Sequence, residues 1–275
     1  MLYTIIGVFV RILSNSYLNV FQKLLTCEGS RSSVVNFYTY IGLSVIGLCF
    51  GIHSDVSLTS DLVLNICIMG LLGALGNFFI IKGLSCGELS TLSAVNSYKP
   101  VVAMIGAILF LDEIPSLFAI FAIGIIIFGT YLMSEAKNAF NRYAVTYRVL
   151  GLIFSGIEAV FIKRVILATN IQTAFMYWAI AGLVFAYIVV LISKNKLHRP
   201  NIKHQLLLIL SVAVMQYSTN FVFSRMNVSY ALALFQLSVV FNVFLGANIF
   251  REKEFWKKLT ASIVMTIGAV MLFLV

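Results

Sequence analysis

Three ionisable side chains, Arg11, Lys99 and Glu158, stand inside stretches otherwise built from apolar residues. An ionic group in hydrocarbon costs several kcal/mol unless it is paired or hydrated, so each marks a solute path, a proton relay or a structural ion pair. Lys99 lies near the middle of the stretch Leu89 to Leu111, with Pro100 beside it. Proline lacks an N–H and crowds the preceding turn, so the Asn96 carbonyl is expected to lose its helical donor and the helix to bend there. A bend beside a buried charge suits a site at mid-depth; the plainer alternative is a structural lysine paired with a carboxylate or reaching an interface. Glu158 has no Lys or Arg three or four residues away, so its partner must come from another helix, with Arg11 and Lys99 the candidates. It reads as a proton-coupling carboxylate or as one member of a fixed ion pair. Arg11 stands close enough to the start of its stretch to have the alternative of snorkelling to the interface.

Uncharged polar residues fall in stripes around these charges. Arg11, Asn15, Asn19 and Gln22 follow one another at steps of four, four and three, which places them on one face of a helix. Ser93, Asn96 and Lys99 do the same, as do Gln216, Asn220 and Ser224. Any single Asn or Gln serves equally well as interhelical glue, but three stripes on three helices point to a shared polar interior. The expected solute-binding set is therefore Arg11, Asn15, Asn19, Asn96, Lys99, Gln216 and Asn220, with Glu158 coupling a proton and Pro100 setting a kink. Two buried cations against one buried anion favour a carboxylate, phosphate or zwitterion over an organic cation.

The elements that must hold these residues are transmembrane helices. Of 275 residues, 61% are hydrophobic and 11% charged, far from the balance of a soluble domain. About 20 helical residues cross a bilayer, and ten stretches qualify: Thr4 to Leu25, Val34 to Ile52, Leu62 to Lys82, Leu89 to Leu111, Leu117 to Met133, Val149 to Leu167, Ala174 to Ile192, Leu206 to Ser224, Tyr230 to Phe250 and Leu259 to Val275. They are long and continuous where barrel strands would be short and alternating. The loops are too short for a soluble catalytic domain, and the N-terminus reads as an uncleaved first helix. The net charge of +9 comes from residues scattered between apolar stretches, without the dense basic run that nucleic-acid binding would use. Cys27, Cys49, Cys67 and Cys86 have no metal-site spacing and read as inert. No phosphate loop, HExxH, GxSxG or dinucleotide fingerprint occurs, so neither an enzyme, nor a cofactor, nor a bound metal is expected.

The chain repeats itself. Val20, Phe21, Gln22, Lys23 stand 140 positions before Val160, Phe161, Ile162, Lys163, and the same offset carries Gly42 onto Gly182. Asn77-Phe78 with Lys82 is echoed by Asn220-Phe221 with Arg225, and Phe110-Leu111-Asp112-Glu113 by Phe250-Arg251-Glu252. Two halves of five crossings each, residues 1–138 and 139–275, must enter the membrane from opposite sides, so the repeats are expected to be inverted.

With this duplication, and with Ser97-Tyr98-Lys99-Pro100-Val101-Val102 leading through Gly106 to Leu111-Asp112-Glu113, then Gly124 and Gly129, the sequence resembles the drug/metabolite transporter superfamily, in its EamA-like branch of ten-helix proteins. The resemblance spans nearly the whole chain. It implies an all-α integral membrane protein of two inverted five-helix repeats that exports or exchanges a small metabolite such as an amino acid, with a small-molecule substrate, the bilayer and a coupling proton as its partners. Because Val239 or Val240 replaces Pro100 in the second half, the ninth span is expected to run straight.

Odd-numbered loops collect fourteen of the 19 Lys and Arg, Arg148 among them; even-numbered loops hold only Lys163, Arg164 and Arg225. That bias places both termini outside the cytoplasm, whereas the family resemblance implies the reverse. Lys23, Lys82, Lys163 and Arg225 are expected to snorkel at span ends, Glu113 and Glu252 to cap helices or bond loops, and Tyr3, Trp178 and Trp256 to form interfacial belts. Tyr38, Tyr98, Tyr177 and Tyr217 are candidates for lining a pathway. The resulting reading is a secondary transporter in the cytoplasmic membrane. A channel and a non-transporting scaffold or sensor are the rivals, and oligomeric state is not legible.

Overall fold

In lipid every backbone N–H and C=O must be satisfied within the protein, and long apolar runs do this by folding as helices. The computed structural model describes residues 2–51, 58–134 and 141–273, and among these it is helical with no strand. The helices are α1 (Leu2–Cys27), α2 (Ser32–Gly51), α3 (Ser60–Leu84), α4 (Leu89–Val95), α5 (Lys99–Leu111), α6 (Leu117–Ser134), α7 (Arg142–Ala168), α8 (Ile171–Ile192), α9 (Ile202–Phe223), α10 (Val228–Phe235), α11 (Ser238–Phe250) and α12 (Phe255–Phe273). Ile52, Lys137 and the final residues of the tenth sequence stretch lie outside the described residues. Six segments are long and apolar enough to cross a membrane: α1, α2, α3, α8, α9 and α10–α11 taken together. The chain is a multi-pass membrane protein, and its outer surface carries apolar side chains such as Phe9, Leu109, Phe121, Val184 and Ile192.

Polar caps start several helices. Asn141 accepts from Tyr143 and Ala144 N–H at the head of α7, and Asn170 from Thr173 N–H at the head of α8. The Asn141 cap begins α7 seven residues before Val149, so Arg148, expected in a loop, lies inside a helix.

Both predicted long spans that enter the centre are broken. α4 gives way to a 3-10 turn over Asn96–Tyr98, and α5 restarts with Pro100 in its first turn. The Asn96 carbonyl is not left bare as expected, because the tightened turn gives it the Lys99 N–H. The ninth span breaks as well, contrary to its expected straightness: α10 ends at Phe235 and α11 begins at Ser238. Gln236 supplies the cause without a proline. Its Nε2 donates to the Leu232 carbonyl at 2.8 Å, the acceptor its own N–H would use in an α-helix. The Gln236 N–H turns instead to Ala233 O, and Val239 N–H to Gln236 O. From α1, Ser16 Oγ donates to Ser238 O and Asn15 Nδ2 to Ser238 Oγ, holding the break in place.

α1 lies against α9, α3 against α7, α2 against α8 and α6 against α12. Gly7 near the start of α1 meets Phe221 near the end of α9, and Phe21 near the end of α1 stacks on His204 near the start of α9, so this pair is antiparallel. Small residues permit the close approaches. A Cβ on Gly70 would collide with Ala181 of α8, including its backbone. Gly70→Ala is expected to destabilise the protein by about 1–3 kcal/mol through overpacking, seen as a lower midpoint in thermal unfolding in detergent.

Candidate functional site

The polar stripes converge. A cavity of about 90 Å³ lies among α1, α3, α5, α7, α8 and α9, and Arg11, Asn15, Asn19, Asn96, Lys99, Glu158 and Gln216 all line it. Each is set by its helix. α1 turns Arg11, Asn15 and Asn19 to one face; Arg11 is held by Nε donating to Thr219 Oγ1 at 3.2 Å and by its guanidinium lying 4.5 Å from the Phe235 ring centroid. Arg11 is 8% exposed and makes no excursion to an interface, so snorkelling is excluded as its arrangement. The broken α4–α5 segment presents Asn96 and Lys99, and the Pro100 side chain is buried behind them.

Asn220 is not in the cavity wall. It is fully buried, accepts from Gln216 Nε2 at 2.9 Å and donates to Ile171 O at 3.3 Å, and so orients Gln216 from behind. Gln22 also leaves the α1 stripe: it donates to Asn77, which donates to Asn36, which donates to the Ala74 carbonyl. This chain of amides ties α1, α2 and α3 together, and of its members Asn77 reaches the cavity. Ser93 accepts from Asn242 and Ser224 bonds its own helix, both away from the cavity.

Glu158 finds a partner that the sequence did not indicate. Trp178 Nε1 donates to its Oε1 at 2.7 Å, so Trp178 is a buried site residue and not part of an interfacial belt. No cation lies within ion-pair distance of Glu158 among the described residues, although its charge acts on Lys99 across the cavity. Gly73 of α3 packs directly on the carboxylate, and a Cβ there would strike Oε1. Gly73→Ala is expected to displace Glu158 from Trp178 and disturb the cavity while α3 still folds, a change readable in Trp fluorescence.

Arg148 is the main residue missed. It is 1% exposed, donates through Nε to Leu92 O at 3.0 Å, and lines the cavity. With the helix begun at Arg142, the spacing of Arg148, Ser155, Glu158 and Ile162 is one helical face, and all four line the cavity. Tyr40 joins them with its hydroxyl buried and unpartnered. Tyr38, Tyr98, Tyr177 and Tyr217 do not line this cavity; Tyr217 faces a separate apolar recess of about 410 Å³ with Val10, Phe50 and Phe175. The four cysteines are free and exposed, and no cluster of potential metal ligands occurs among the described residues.

The family model for the EamA-like transporter family matches residues 2–135 and again 142–274. The chain belongs to the EamA-like transporter family. Its fold is shared with solved structures: a crystal structure of a protein superimposes with a TM-score of 0.75 at 12% identity, over 99% of this chain and 96% of that one. Twenty-nine chains of solved structure match in all, whereas no curated protein does.

The two EamA-matched segments are tied to each other by equivalent contacts. Glu252, after α11, takes the Lys23 ammonium of α1 at 2.9 Å, and it also accepts the N–H groups of Leu89 and Ser90 at the head of α4. Glu113, after α5, takes the Lys163 ammonium of α7 and the Val228 N–H at the head of α10. The expectation that Lys23 and Lys163 snorkel is therefore corrected: each is buried in an ion pair between segments, and each glutamate caps a helix of the other segment, where the helix dipole favours an anion. Lys82 and Arg225, in contrast, lie on aromatic rings, Tyr147 and Phe221 respectively. The Glu252 tie is the heavier one, since Lys258 and the Ser90 hydroxyl join it. Near the outer surface, burial works to raise the Glu252 pKa, but Lys23 and the Ser90 donors overcome it and hold the carboxyl below its ordinary value.

Proposed function

We propose that this EamA-like protein is a secondary active transporter of a small polar metabolite, anionic or zwitterionic, that works by alternating access. Ten crossings arranged as two inverted halves, in the cytoplasmic membrane, complete the reading, with α4–α5 and α10–α11 each counted as one broken crossing. The observation that carries it is the meeting of polar residues from α1, α5, α7 and α9 around one small cavity. At about 90 Å³ the cavity lies well below the roughly 300–1,000 Å³ of pockets for drug-sized ligands, which favours a small solute over a lipid or a peptide.

The two ties give the alternation a physical form. Lys23–Glu252 joins the segments at one end of the bundle and Lys163–Glu113 at the other. Opening one end separates a buried lysine from its glutamate and uncaps a helix of the opposite segment, so each end has its own barrier, and a closed end blocks a continuous pore. Arg11, Asn15, Asn19, Asn96, Lys99 and Gln216 act as the solute-binding wall, Asn220 orients Gln216, and Glu158, held by the Trp178 N–H, carries the coupling proton.

Counterflow in proteoliposomes tests the reading: accumulation of labelled solute that saturates and requires unlabelled solute inside marks a carrier, while flux without counter-solute dependence marks a channel and no flux marks a scaffold or sensor. In the same assay Glu158→Gln is expected to flatten the pH dependence of net transport while exchange continues. An unchanged pH profile removes Glu158 from the coupling role.

A further inference from the structure

The charges of the cavity do not balance, and the imbalance has a shape. Arg11, Lys99 and Arg148 line it against one carboxylate, Glu158. Lys99 and Glu158 act on each other attractively, which leaves the two arginines. Each is at least nine-tenths buried, each has a buried Nη1 without a hydrogen-bond partner, and neither has a carboxylate within ion-pair distance among the described residues. Their fixed contacts are a threonine hydroxyl and a phenyl ring for Arg11, and a backbone carbonyl for Arg148. Buried cations persist where an anion meets them, and here the protein supplies one carboxylate for three cations.

The arginines also stand apart along the bundle. α1 runs antiparallel to α9, whereas α7 and α9 bring their C-terminal parts together, with Lys163 bonding Met226 O and Asn220 bonding Ile171 O. α7 is thus antiparallel to α1. Arg11, toward the start of α1, sits beside Thr219 near the end of α9, on the side of the Glu113 tie. Arg148, toward the start of α7, bonds Leu92, one turn into the helix that Glu252 caps at the other side. Lys99 lines the same cavity, and the charges of both arginines act on it repulsively. Beside the charged groups the wall carries neutral hydrogen-bonding side chains, among them Asn15, Asn96 and Gln216.

Resting on the carrier reading above, we propose that the transported solute is an elongated dianion, one anionic group for Arg11 and one for Arg148, with a short polar middle facing the amide side chains. Carboxylate is the group best matched, because guanidinium offers it two parallel N–H bonds. A zwitterion leaves two positive charges uncompensated in the cavity, and a compact anion reaches one arginine only.

The test is counterflow of labelled succinate by the full chain in proteoliposomes, with competition by a diacid series from oxalate to adipate, by butyrate, by inorganic phosphate, by aspartate and by alanine. The expected result is a best competitor among the longer diacids, at least tenfold better than butyrate or alanine, with phosphate weak. Arg11→Gln and Arg148→Gln should each lower dianion exchange at least tenfold and erase the preference over butyrate, while Arg148→Lys restores part of it and controls for folding. Butyrate, phosphate or alanine competing as well as the diacids overturns the dianion, as does a folded Arg148→Gln protein that keeps the preference. Should the wild type exchange alanine and no diacid, the carrier stands and the dianion falls; should a folded wild type exchange no probe at all, both fall.

Discussion

Lys99→Ala is expected to bring solute exchange down to the background of empty liposomes while the protein still elutes as a folded species. The side chain lines the cavity, makes no hydrogen bond among the described residues, and sits where the α4–α5 segment is already broken. Removing it takes away one of three cations lining the cavity and leaves no neighbouring group bereft of a hydrogen bond, so the fold has little to lose. Function has more to lose. The Lys99 ammonium shares the cavity with Glu158, Arg11 and Arg148 and its charge acts on all three, and without it both the solute's charge balance and the proton's environment change together. Lys99→Arg keeps the charge and should retain measurable exchange. Counterflow alongside size-exclusion chromatography checks both variants, and a Lys99→Ala protein exchanging at the normal rate removes this residue from the site.

Glu252→Gln should have the second large effect, and it should differ from that of Glu113→Gln. Gln in place of Glu252 leaves the ammonium groups of Lys23 and Lys258 without their shared carboxylate, while the head of α4 loses the anionic cap on the N–H groups of Leu89 and Ser90. Breaking a buried pair from one side costs about 3–5 kcal/mol, so a marked fall in thermal midpoint is expected. Glu113→Gln strips one lysine and one N–H and should be milder in stability but favour opening at its own end. Cysteine-labelling access to the cavity from each side would read that difference. Acid should act in the same direction as Glu252→Gln. Because the folded Glu252 carboxyl is held below its ordinary value, its stabilising contribution is complete above the unfolded carboxylate pKa and is lost only as pH falls through the lower folded one. The wild type should therefore lose more stability on acidification below the usual carboxylate range than Glu252→Gln, which has no such group to protonate.

Much of this was legible from residue type and period. The α1 stripe announced a buried polar face because steps of three and four cannot face lipid without cost, and Lys99 with Pro100 located the break in α4–α5. The repeat offset that aligned Lys23 with Lys163 and Glu113 with Glu252 also held the information that each lysine meets the other segment's glutamate, but pairing across segments depends on three-dimensional packing that no spacing expresses. Arg148 was hidden by hydropathy: the apolar run begins at Val149, so a threshold on composition cut the helix one residue too late for a charge that is buried. Trp178 and Tyr40 gave no sign, since an aromatic in an apolar helix has the same appearance whether it meets lipid or a carboxylate. The break at Gln236 escaped because a side-chain amide competing for a backbone carbonyl has no sequence signature as plain as proline's.

That last difference makes the two broken segments, α4–α5 and α10–α11, unequal in compliance. Pro100 forbids a continuous hydrogen-bonded ladder through its turn whatever the protein does. Gln236 forbids nothing: should its amide let go of Leu232, the backbone N–H is free to reclaim that carbonyl and α10 and α11 can anneal into one rod. The first crossing is permanently bent, the second reversibly so, and a molecule built from two copies of one plan thereby gains a stiff member and a springy one.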